Sequence, residues 1–214
     1  MDTRDLKIPA MTPPEVHDYL RTVGKQWTGE GLAVELGCWL GASTVPLLDG
    51  LTDAGYSDFY WAFDNWHATK SEVQKAKEQG LVIKVGQDLM PLFLENTEEF
   101  GLIQPIKGSL PDTLGEYNGG PIEICLFDAP KKDPVFTKCL KRLEPHFLPG
   151  ITVIGFLDYY AYEKHTGQKC YDLSIPVRTT ENEADSFELM QHWPGLCSCA
   201  FFKYKKPMLW GKKR

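Results

Sequence analysis

The sequence predicts an α/β protein whose sheet is doubly wound, mostly parallel and seven-stranded, with helices on both faces. Short apolar runs alternate with longer amphipathic segments along most of the chain. These apolar runs lack the polar alternation of a half-exposed strand, which indicates a sheet covered on both sides. Right-handed crossovers between parallel strands then give a Rossmann-like winding. With 214 residues, of which 43% are hydrophobic, the chain is long enough for one such core.

The first part of the chain supplies a lead-in helix and two strands. Residues 15–27 are predicted to be helical, because the pair of prolines before them suits the first turn of a helix. The apolar segment 31–36 fits a strand that ends in glycines, and residues 42–53 fit the helix that follows it. Residues 59–63, which are rich in aromatic side chains, fit the second strand.

Two helices are predicted before the third strand. They cover residues 71–79 and 88–100, with Ser71 and Asp88 as N-caps, since short polar side chains accept hydrogen bonds from the first backbone N–H groups. The third strand is predicted over residues 102–107.

The second half of the chain continues the alternation. Residues 122–127 and 151–157 are uninterrupted apolar runs that fit central strands, and the amphipathic segment 133–143 fits the helix between them. A helix over residues 183–192 and a strand over residues 196–204 are predicted to close the domain.

Two connections are long enough to cover a substrate. One is the segment 65–88, between the second and third strands, and the other is the segment 159–185. Within the latter, residues 169–177 fit either a strand or an irregular covering loop. The second connection carries side chains that can stack on a ring or bond to a sugar, namely Tyr159, Tyr160, Tyr162 and Tyr171.

Composition limits the kinds of partner and compartment. The net charge is −6 and the isoelectric point about 5.4, so nucleic acid is not an expected partner. No apolar stretch reaches the ~20 residues of a membrane-spanning helix, and the N-terminus lacks an apolar signal core. Six cysteines without a CxxC pair suit free thiols in a reducing compartment, which predicts a cytoplasmic protein.

Three regions are expected along the chain. A helical lead-in covers residues 1–30, the α/β domain covers residues 31–206, and a basic tail covers residues 207–214. A homo-oligomer is compatible with this composition.

The turn after the first strand is the first candidate for ligand binding, because ligands of such sheets lie beyond the carboxyl ends of the strands. Its sequence, over residues 35–44, is ELGCWLGAST. Gly37 and Gly41 allow a tight turn and a close approach to a ligand, and Ser43 can donate a hydrogen bond at the next helix. The GxGxxG pattern is absent, and the Glu35 carboxylate favours a cation over a pyrophosphate. An ordinary strand–helix turn is the alternative.

Polar residues also follow the second and third strands. Asp64 can accept hydrogen bonds from both hydroxyls of a ribose, or it can simply open a turn. Gly108 and Ser109 are placed to line the edge of an adenine, although a plain turn explains them equally well.

The fourth and fifth strands each end in an aspartate. Asp128 and Asp158 could share a divalent metal, since Mg²⁺ prefers hard oxygen ligands and often binds through one or two carboxylates. Lys131 lies at the same mouth of the sheet. The structural alternatives are a helix N-cap for Asp128 and solvated side chains for the other two residues.

Together these features resemble the class I S-adenosylmethionine-dependent methyltransferases. Residues 35–43 resemble their first motif, Asp64 resembles their second-strand acid, and residues 126–128 (LFD) resemble their fourth motif. The resemblance covers residues 30–160, roughly, and implies the Rossmann-like methyltransferase fold.

Within that family, residues 127–131 (FDAPK) are similar to a segment of the catechol-type and macrocin-type small-molecule O-methyltransferases. Those enzymes use a divalent metal and end their fifth strand in paired ligands, Asp-Asp or Asp-Asn. In this chain Asp158 is followed by Tyr159, so one ligand of the pair matches.

The resemblance implies O-methylation of a small hydroxylated acceptor, such as a sugar or an aromatic natural product. S-adenosylmethionine is the implied cofactor and Mg²⁺ a candidate second one. Glu35 would lie near the methionine amino group or organise the loop, Trp66 and Ser109 would flank the adenine, and Lys131 would deprotonate the acceptor. A metal that lowers the pKa of the acceptor hydroxyl is the alternative to that base. His67 and His165 are further candidates.

The predicted site therefore has three parts. The cofactor-binding residues are Glu35, Gly37, Gly41, Ser43, Asp64, Trp66, Gly108, Ser109 and Asp128; the catalytic residues are Lys131, Asp128 and His67; the metal ligands are Asp128 and Asp158.

Two other functions compete with methyl transfer. One is a binding module built on a degenerate methyltransferase fold, which the unpaired fifth-strand carboxylate favours. The other is an NAD-linked or nucleotide-sugar enzyme, against which the missing GxGxxG argues.

Overall fold

The computed structural model describes residues 8–160, 174–193 and 196–210. Its centre is a seven-stranded sheet in the order β3-β2-β1-β4-β5-β7-β6. Strand β7 runs antiparallel to both of its neighbours, and the other neighbouring strands are parallel. The strands are β1 (Leu32–Leu36), β2 (Tyr60–Asp64), β3 (Ile103–Lys107), β4 (Ile122–Phe127), β5 (Val153–Phe156), β6 (Phe187–His192) and β7 (Ala200–Tyr204).

Six α-helices are assigned in these ranges. They are α1 (Pro14–Lys25), α2 (Thr44–Asp53), α3 (Lys70–Glu78), α4 (Met90–Thr97), α5 (Val135–Leu143) and α6 (Ile175–Asn182). The doubly wound, mostly parallel sheet predicted from the apolar runs is confirmed. Among the strands, β4 has the predicted boundaries.

The predicted N-caps of α3 and α4 need correction. Helix α3 begins after Thr69, whose hydroxyl accepts a hydrogen bond from Glu72 N while the Glu72 carboxylate accepts one from Thr69 N. This reciprocal pair is a capping box, so Ser71 is not the cap. Asp88 Oδ1 accepts from Met90 N at 3.1 Å, but the residue at the N-cap position of α4 is Leu89.

The predicted helix over residues 183–192 is wrong. Residues 187–192 form β6, an edge strand that pairs with β7 and is irregular between Leu189 and Gln191. The helix lies earlier, at α6, and therefore overlaps the end of the segment 169–177. Pairing with β7 overrides the local helical preference of an acidic, charged sequence.

Apolar clusters cover both faces of the sheet. On one face, α1 and α2 approach each other closely at Gly24 and Gly50. A Cβ at Gly24 would lie 2.5 Å from Leu47 O, and a Cβ at Gly50 would lie 2.1 Å from Arg21 O. The lead-in helix is thus packed against the domain backbone to backbone.

The chain reverses its direction of winding between β1 and β4, which are neighbours in the sheet although two strands and three α-helices separate them in sequence. The carboxyl ends of β1, β2, β4 and β5 consequently meet at one edge. In an open parallel sheet, this is the place where a crevice forms and a ligand binds.

Among the described residues, no helix is both long and apolar enough to cross a membrane.

Candidate functional site

A cavity of about 240 Å³ opens at the carboxyl ends of β1 to β4. It lies at the point where the winding direction reverses, as expected for a ligand site in this architecture. Its lining consists of Gly37, Phe63, Asp64, Asn65, Gly108, Ser109, Leu110, Ala129, Pro130 and Val135. The structure thus brings four of the predicted cofactor-binding residues to one cavity: Gly37, Asp64, Gly108 and Ser109.

Gly37 shapes the wall of this cavity. Its φ is +91°, a backbone region that glycine enters without strain. Its N–H donates to Phe63 O at 2.7 Å, and a Cβ placed on it would lie 2.7 Å from Ala129 N. The turn after β1 therefore packs closely against β2 on one side and against the end of β4 on the other.

Asp64 joins two of these turns. Its Oδ2 accepts from Cys38 N at 2.7 Å and Trp39 N at 2.8 Å, and its Oδ1 accepts from Trp66 N at 2.6 Å. Burial raises the pKa of Asp64, and the three backbone donors oppose that rise. Because each carboxylate oxygen can accept two hydrogen bonds, Oδ1 keeps one acceptor position for a ligand hydroxyl.

A smaller cleft of about 30 Å³ lies beside Asp128 and the first turn. It is lined by Met11, Thr12, Cys38, Trp39, Ala42, Ser43 and Asp128. Ser43 makes no capping hydrogen bond to α2. Trp39 has a positive φ of 45°, and its buried Nε1 has no partner in the described part of the chain. The cleft therefore presents a hydroxyl and an indole N–H close to a carboxyl group.

The segment 8–12 crosses this cleft and is tied to helix α3 by one side chain. Gln79 Oε1 accepts from Ala10 N at 2.8 Å, and Gln79 Nε2 donates to Ala10 O at 3.0 Å. These two bonds pair the side chain with the backbone as a neighbouring strand would. The connection after β2 thus holds the N-terminal segment in place over the cleft.

Replacing Gln79 with alanine is expected to release this segment. The Ala10 amide loses its acceptor, so its hydrogen exchange should accelerate, while global stability changes by no more than about 1 kcal/mol because both bonds are exposed. Exchange measured by NMR or mass spectrometry tests this. Gln74→Ala, on the same helix, is the control: Gln74 bonds to Glu78, and its loss should leave the Ala10 amide unchanged. If the Ala10 amide exchanged at the same rate in all three proteins, Gln79 would not be what holds the N-terminal segment.

Glu35 is fully buried behind the first turn and does not line either cavity. Thr44 Oγ1 and Tyr60 OH donate to its Oε2 at 2.5 and 2.8 Å. Its Oε1 has no partner among the described residues. Of the two roles predicted for Glu35, these contacts favour organising the turn, because they fix the start of α2 against β2.

Burial raises the pKa of Glu35 from 4.5 to about 7, which predicts a pH-dependent stability. In the unfolded chain Glu35 loses its proton near its ordinary pKa, whereas the folded protein keeps it until about pH 7. Between those values the folded state binds the extra proton, so stability falls as the pH rises. The expected contribution is about 2–3 kcal/mol.

Urea denaturation at about pH 5 and about pH 8 measures this contribution. Glu35→Gln cannot ionise, so the wild type should lose more stability than the variant between the two conditions. The difference between the two proteins removes the effect of the other titrating groups. An identical pH dependence in both proteins would exclude Glu35 as the source.

Asp128, Asp158 and Lys131 form a compact cluster at the ends of β4 and β5. The charges of the two carboxyl groups act on each other, and Lys131 Nζ is ion-paired with Asp158 Oδ2. Burial and then the charge of Asp158 raise the pKa of Asp128 well above its ordinary range. Burial alone would lower the pKa of Lys131, but the two carboxylates outweigh it and raise that pKa.

Lys131, which was predicted to be the base, has its Nζ in an ion pair with Asp158. A lysine in such a pair must lose its proton before it can accept another. The predicted Mg²⁺ site changes as well. Asp128 and Asp158 do come together, but the side chain of Lys131 already lies against the pair, ion-paired with Asp158. This donor set does not fit Mg²⁺.

Three other predicted residues do not line either cavity. Trp66, which was predicted to flank the adenine, is 1% exposed, donates through Nε1 to Trp39 O at 3.0 Å and packs against Phe93. A Cβ on Gly41 would meet Phe93 and Thr97 at ordinary contact distance, so glycine is needed there for its φ of +93°. His67 is exposed and bridges to Asp88. His165 lies outside the described residues, as do Tyr162 and Tyr171.

Several lining residues were not predicted. Asn65 and Pro130 lie within motifs that were recognised, so their position at a strand end was an available signal. Leu110 follows Ser109 and could have been found in the same way. Met11 and Thr12 carried no signal, because nothing local to the lead-in indicates that it folds over the sheet edge.

The comparisons with known proteins concern the fold. No protein-family model matches the sequence, and no curated protein is detectably similar to it. Solved structures do resemble it. The O-methyltransferase NovP shares 15% identity at a TM-score of 0.66, over 92% of this chain and 83% of NovP. The SAH-bound methyltransferase PaMTH1 from Podospora anserina shares 13% at a TM-score of 0.62, over 92% of this chain and 80% of PaMTH1.

A third structural neighbour is described as an N-methyltransferase. The N-methyltransferase NodS from Bradyrhizobium japonicum shares 14% identity at a TM-score of 0.52, over 90% of this chain and 96% of NodS. At such low identity these similarities establish architecture alone. The chain therefore has the Rossmann-like methyltransferase fold, as its resemblance to the class I S-adenosylmethionine-dependent methyltransferases implied.

Proposed function

We propose that this protein is an S-adenosylmethionine-dependent methyltransferase that acts on a hydroxyl group of a small acceptor. The observation that carries the proposal is the cavity of about 240 Å³ at the carboxyl ends of β1 to β4, which both Gly37 and Asp64 line. The fold shared with NovP and with SAH-bound PaMTH1 supports the same cofactor.

The residues present fit such a cofactor. The spare acceptor position of Asp64 suits a ribose hydroxyl, and the exposed strand-end pair of Gly108 and Ser109 suits the edge of an adenine. The smaller cleft offers Ser43 and the unpartnered Trp39 indole N–H, two donors that suit a carboxylate. These assignments deepen the predictions made for Asp64, Gly108, Ser109 and Ser43.

When bound, S-adenosylmethionine supplies a methyl group activated by its sulfonium. The protein must then hold the acceptor in line with that group and remove the proton of the acceptor hydroxyl. We assign proton uptake to the Asp128 carboxylate, because Asp128 lines the smaller cleft and burial raises its pKa, which makes it a stronger base than an ordinary aspartate. Lys131 orients Asp158 through their ion pair, and the segment 8–12 shields the cleft from water.

Isothermal titration calorimetry tests the proposal. S-adenosylhomocysteine should bind with a dissociation constant in the micromolar range, which corresponds to about −8 kcal/mol, and NAD should not bind under the same conditions. Binding of NAD instead would favour an NAD-linked enzyme. If neither compound bound, the methyltransferase proposal would be wrong and a binding module would remain.

A further inference from the structure

The charge at the mouth of the sheet is arranged around two carboxyl groups on adjacent strands. Strands β4 and β5 pair in parallel, with Phe127 opposite Phe156, and Leu157 N donates to Phe127 O at 2.9 Å. Asp128 directly follows Phe127, and Asp158 follows Leu157, so both carboxyl groups lie just beyond the ends of these paired strands. Carboxylates in this position are suitable for a hard divalent cation when nothing else neutralises them.

A positive charge from the chain itself already occupies that position. Lys131 lies in the turn after β4, and its Nζ is ion-paired with Asp158 Oδ2. The lysine side chain is 49% exposed and that of Asp158 is 24% exposed, so the pair lies at the entrance of the site and not in the core. Asp128 lines the cleft next to it.

An ammonium and a divalent cation cannot both lie against this pair at low cost, because like charges at contact distance repel strongly where water is partly excluded. The surrounding side chains do not offset this repulsion with further metal ligands. Within residues 8–160, 174–193 and 196–210, no group of three or more histidine, cysteine, aspartate or glutamate side chains gathers to hold a metal. A metal would have to displace Lys131 from its ion pair with Asp158.

We propose that the ammonium of Lys131 takes the place of a divalent metal at the Asp128–Asp158 pair, so that methyl transfer by this protein is independent of metal ions. The part concerning methyl transfer rests on the function proposed above, whereas the cation assignment stands on the ion pair alone. As a fixed point charge with three N–H donors, the ammonium can bond to Asp158 and to an acceptor oxygen at once.

Titration with Mn²⁺, followed by electron paramagnetic resonance, tests this replacement, because Mn²⁺ favours the same oxygen ligands as Mg²⁺. Three proteins are compared first: the wild type, Lys131→Met and, as a control for loss of a nearby positive charge, the exposed Lys132→Met. Lys131→Met should bind Mn²⁺ at least about tenfold more tightly than the wild type. Lys132→Met should bind like the wild type.

The double variant Lys131→Met/Asp158→Asn locates the new binding, which it should abolish. Wild-type protein that binds Mn²⁺ through Asp158 would overturn the proposal, because Lys131 would then not exclude a metal. Failure of Lys131→Met to bind would overturn it too, because the carboxyl pair would not be a cation site. Equal gains in Lys131→Met and Lys132→Met would show only a general charge effect and would also overturn it.

Calorimetry with S-adenosylhomocysteine on the same proteins separates this proposal from the proposed function. Lys131→Met should keep its affinity for S-adenosylhomocysteine within about twofold, because Lys131 does not line the larger cavity. If the proposed function were wrong, the wild type would not bind S-adenosylhomocysteine, and the Mn²⁺ result would be unaffected. Failure of the cation proposal would appear in the Mn²⁺ titration, with S-adenosylhomocysteine binding retained.

Discussion

Replacing Gly37 with alanine is expected to destabilise the fold by about 3–5 kcal/mol and to abolish binding of S-adenosylhomocysteine. The new Cβ would meet Ala129 N at 2.7 Å and Ala129 Cβ at 2.8 Å. Both atoms belong to the turn after β4, so a rotamer change cannot relieve the contact. The residue would also have to hold a φ of +91°, which side chains other than glycine resist.

Gly150 provides the matched control for this prediction. Its φ is +81°, but a Cβ there would meet nothing within 4 Å. Gly150→Ala should therefore cost only the backbone penalty of about 1–2 kcal/mol and leave cofactor affinity unchanged. Urea denaturation and calorimetry measure the two effects. If both substitutions cost the same, the close approach of the β1 turn to the β4 turn would not be what the glycine provides.

Asp64→Ala is expected to have a comparable effect through hydrogen bonding. The carboxylate accepts bonds from the N–H groups of Cys38, Trp39 and Trp66, and alanine would leave three backbone donors without this acceptor. A loss of about 3–5 kcal/mol is expected, together with loss of S-adenosylhomocysteine binding. The turns after β1 and β2 would then no longer be joined.

Asp64→Asn separates the two roles of this side chain. Its amide oxygen can still accept from Cys38 N and Trp39 N, but its NH₂ group faces the Trp66 N–H, so an intermediate loss of stability is expected. Asp88→Ala is the control, because Asp88 also accepts a backbone bond, from Met90 N, but at an exposed position. It should change neither stability nor affinity appreciably. Wild-type stability in Asp64→Ala would show that the turns hold together without the carboxylate.

The sequence was sufficient for the fold because its strongest signals are local. Apolar runs and the spacing between them indicated the parallel strands, and β4 appears at its predicted boundaries. Strand β6 escaped prediction because it lies at the sheet edge, where one side is exposed and charged residues are tolerated. Its conformation depends on β7, a partner that the local sequence does not reveal.

The difference between local signals and long-range contacts also applies to the predicted site residues. Gly37, Asp64, Asp128 and Asp158 were predicted to lie at one edge of the sheet, and they do, because each ends a strand or lies within two residues of a strand end. Trp66 was predicted to lie at the cofactor, but it has a positive φ of 44° and its side chain is buried in the core. Spacing alone does not predict that burial.

Side-chain partners account for the remaining differences. Lys131 has the position expected of a base, and only the folded structure shows that its side chain is ion-paired with Asp158. Met11 and Thr12 reach the cleft because Gln79, more than sixty residues later, holds the segment in place. Contacts between residues so far apart in sequence form only when the chain folds, so no local pattern predicts them.

The central claim is that the crevice between the β1 turn and Ser109 holds the adenosyl group of S-adenosylmethionine. A crystal structure of the protein with S-adenosylhomocysteine tests it most directly. We predict the nucleoside in the cavity bounded by Gly37 and Ser109, with a ribose hydroxyl donating to Asp64. A nucleoside bound elsewhere, or the cavity closed by protein side chains while the compound binds at another surface, would contradict the account.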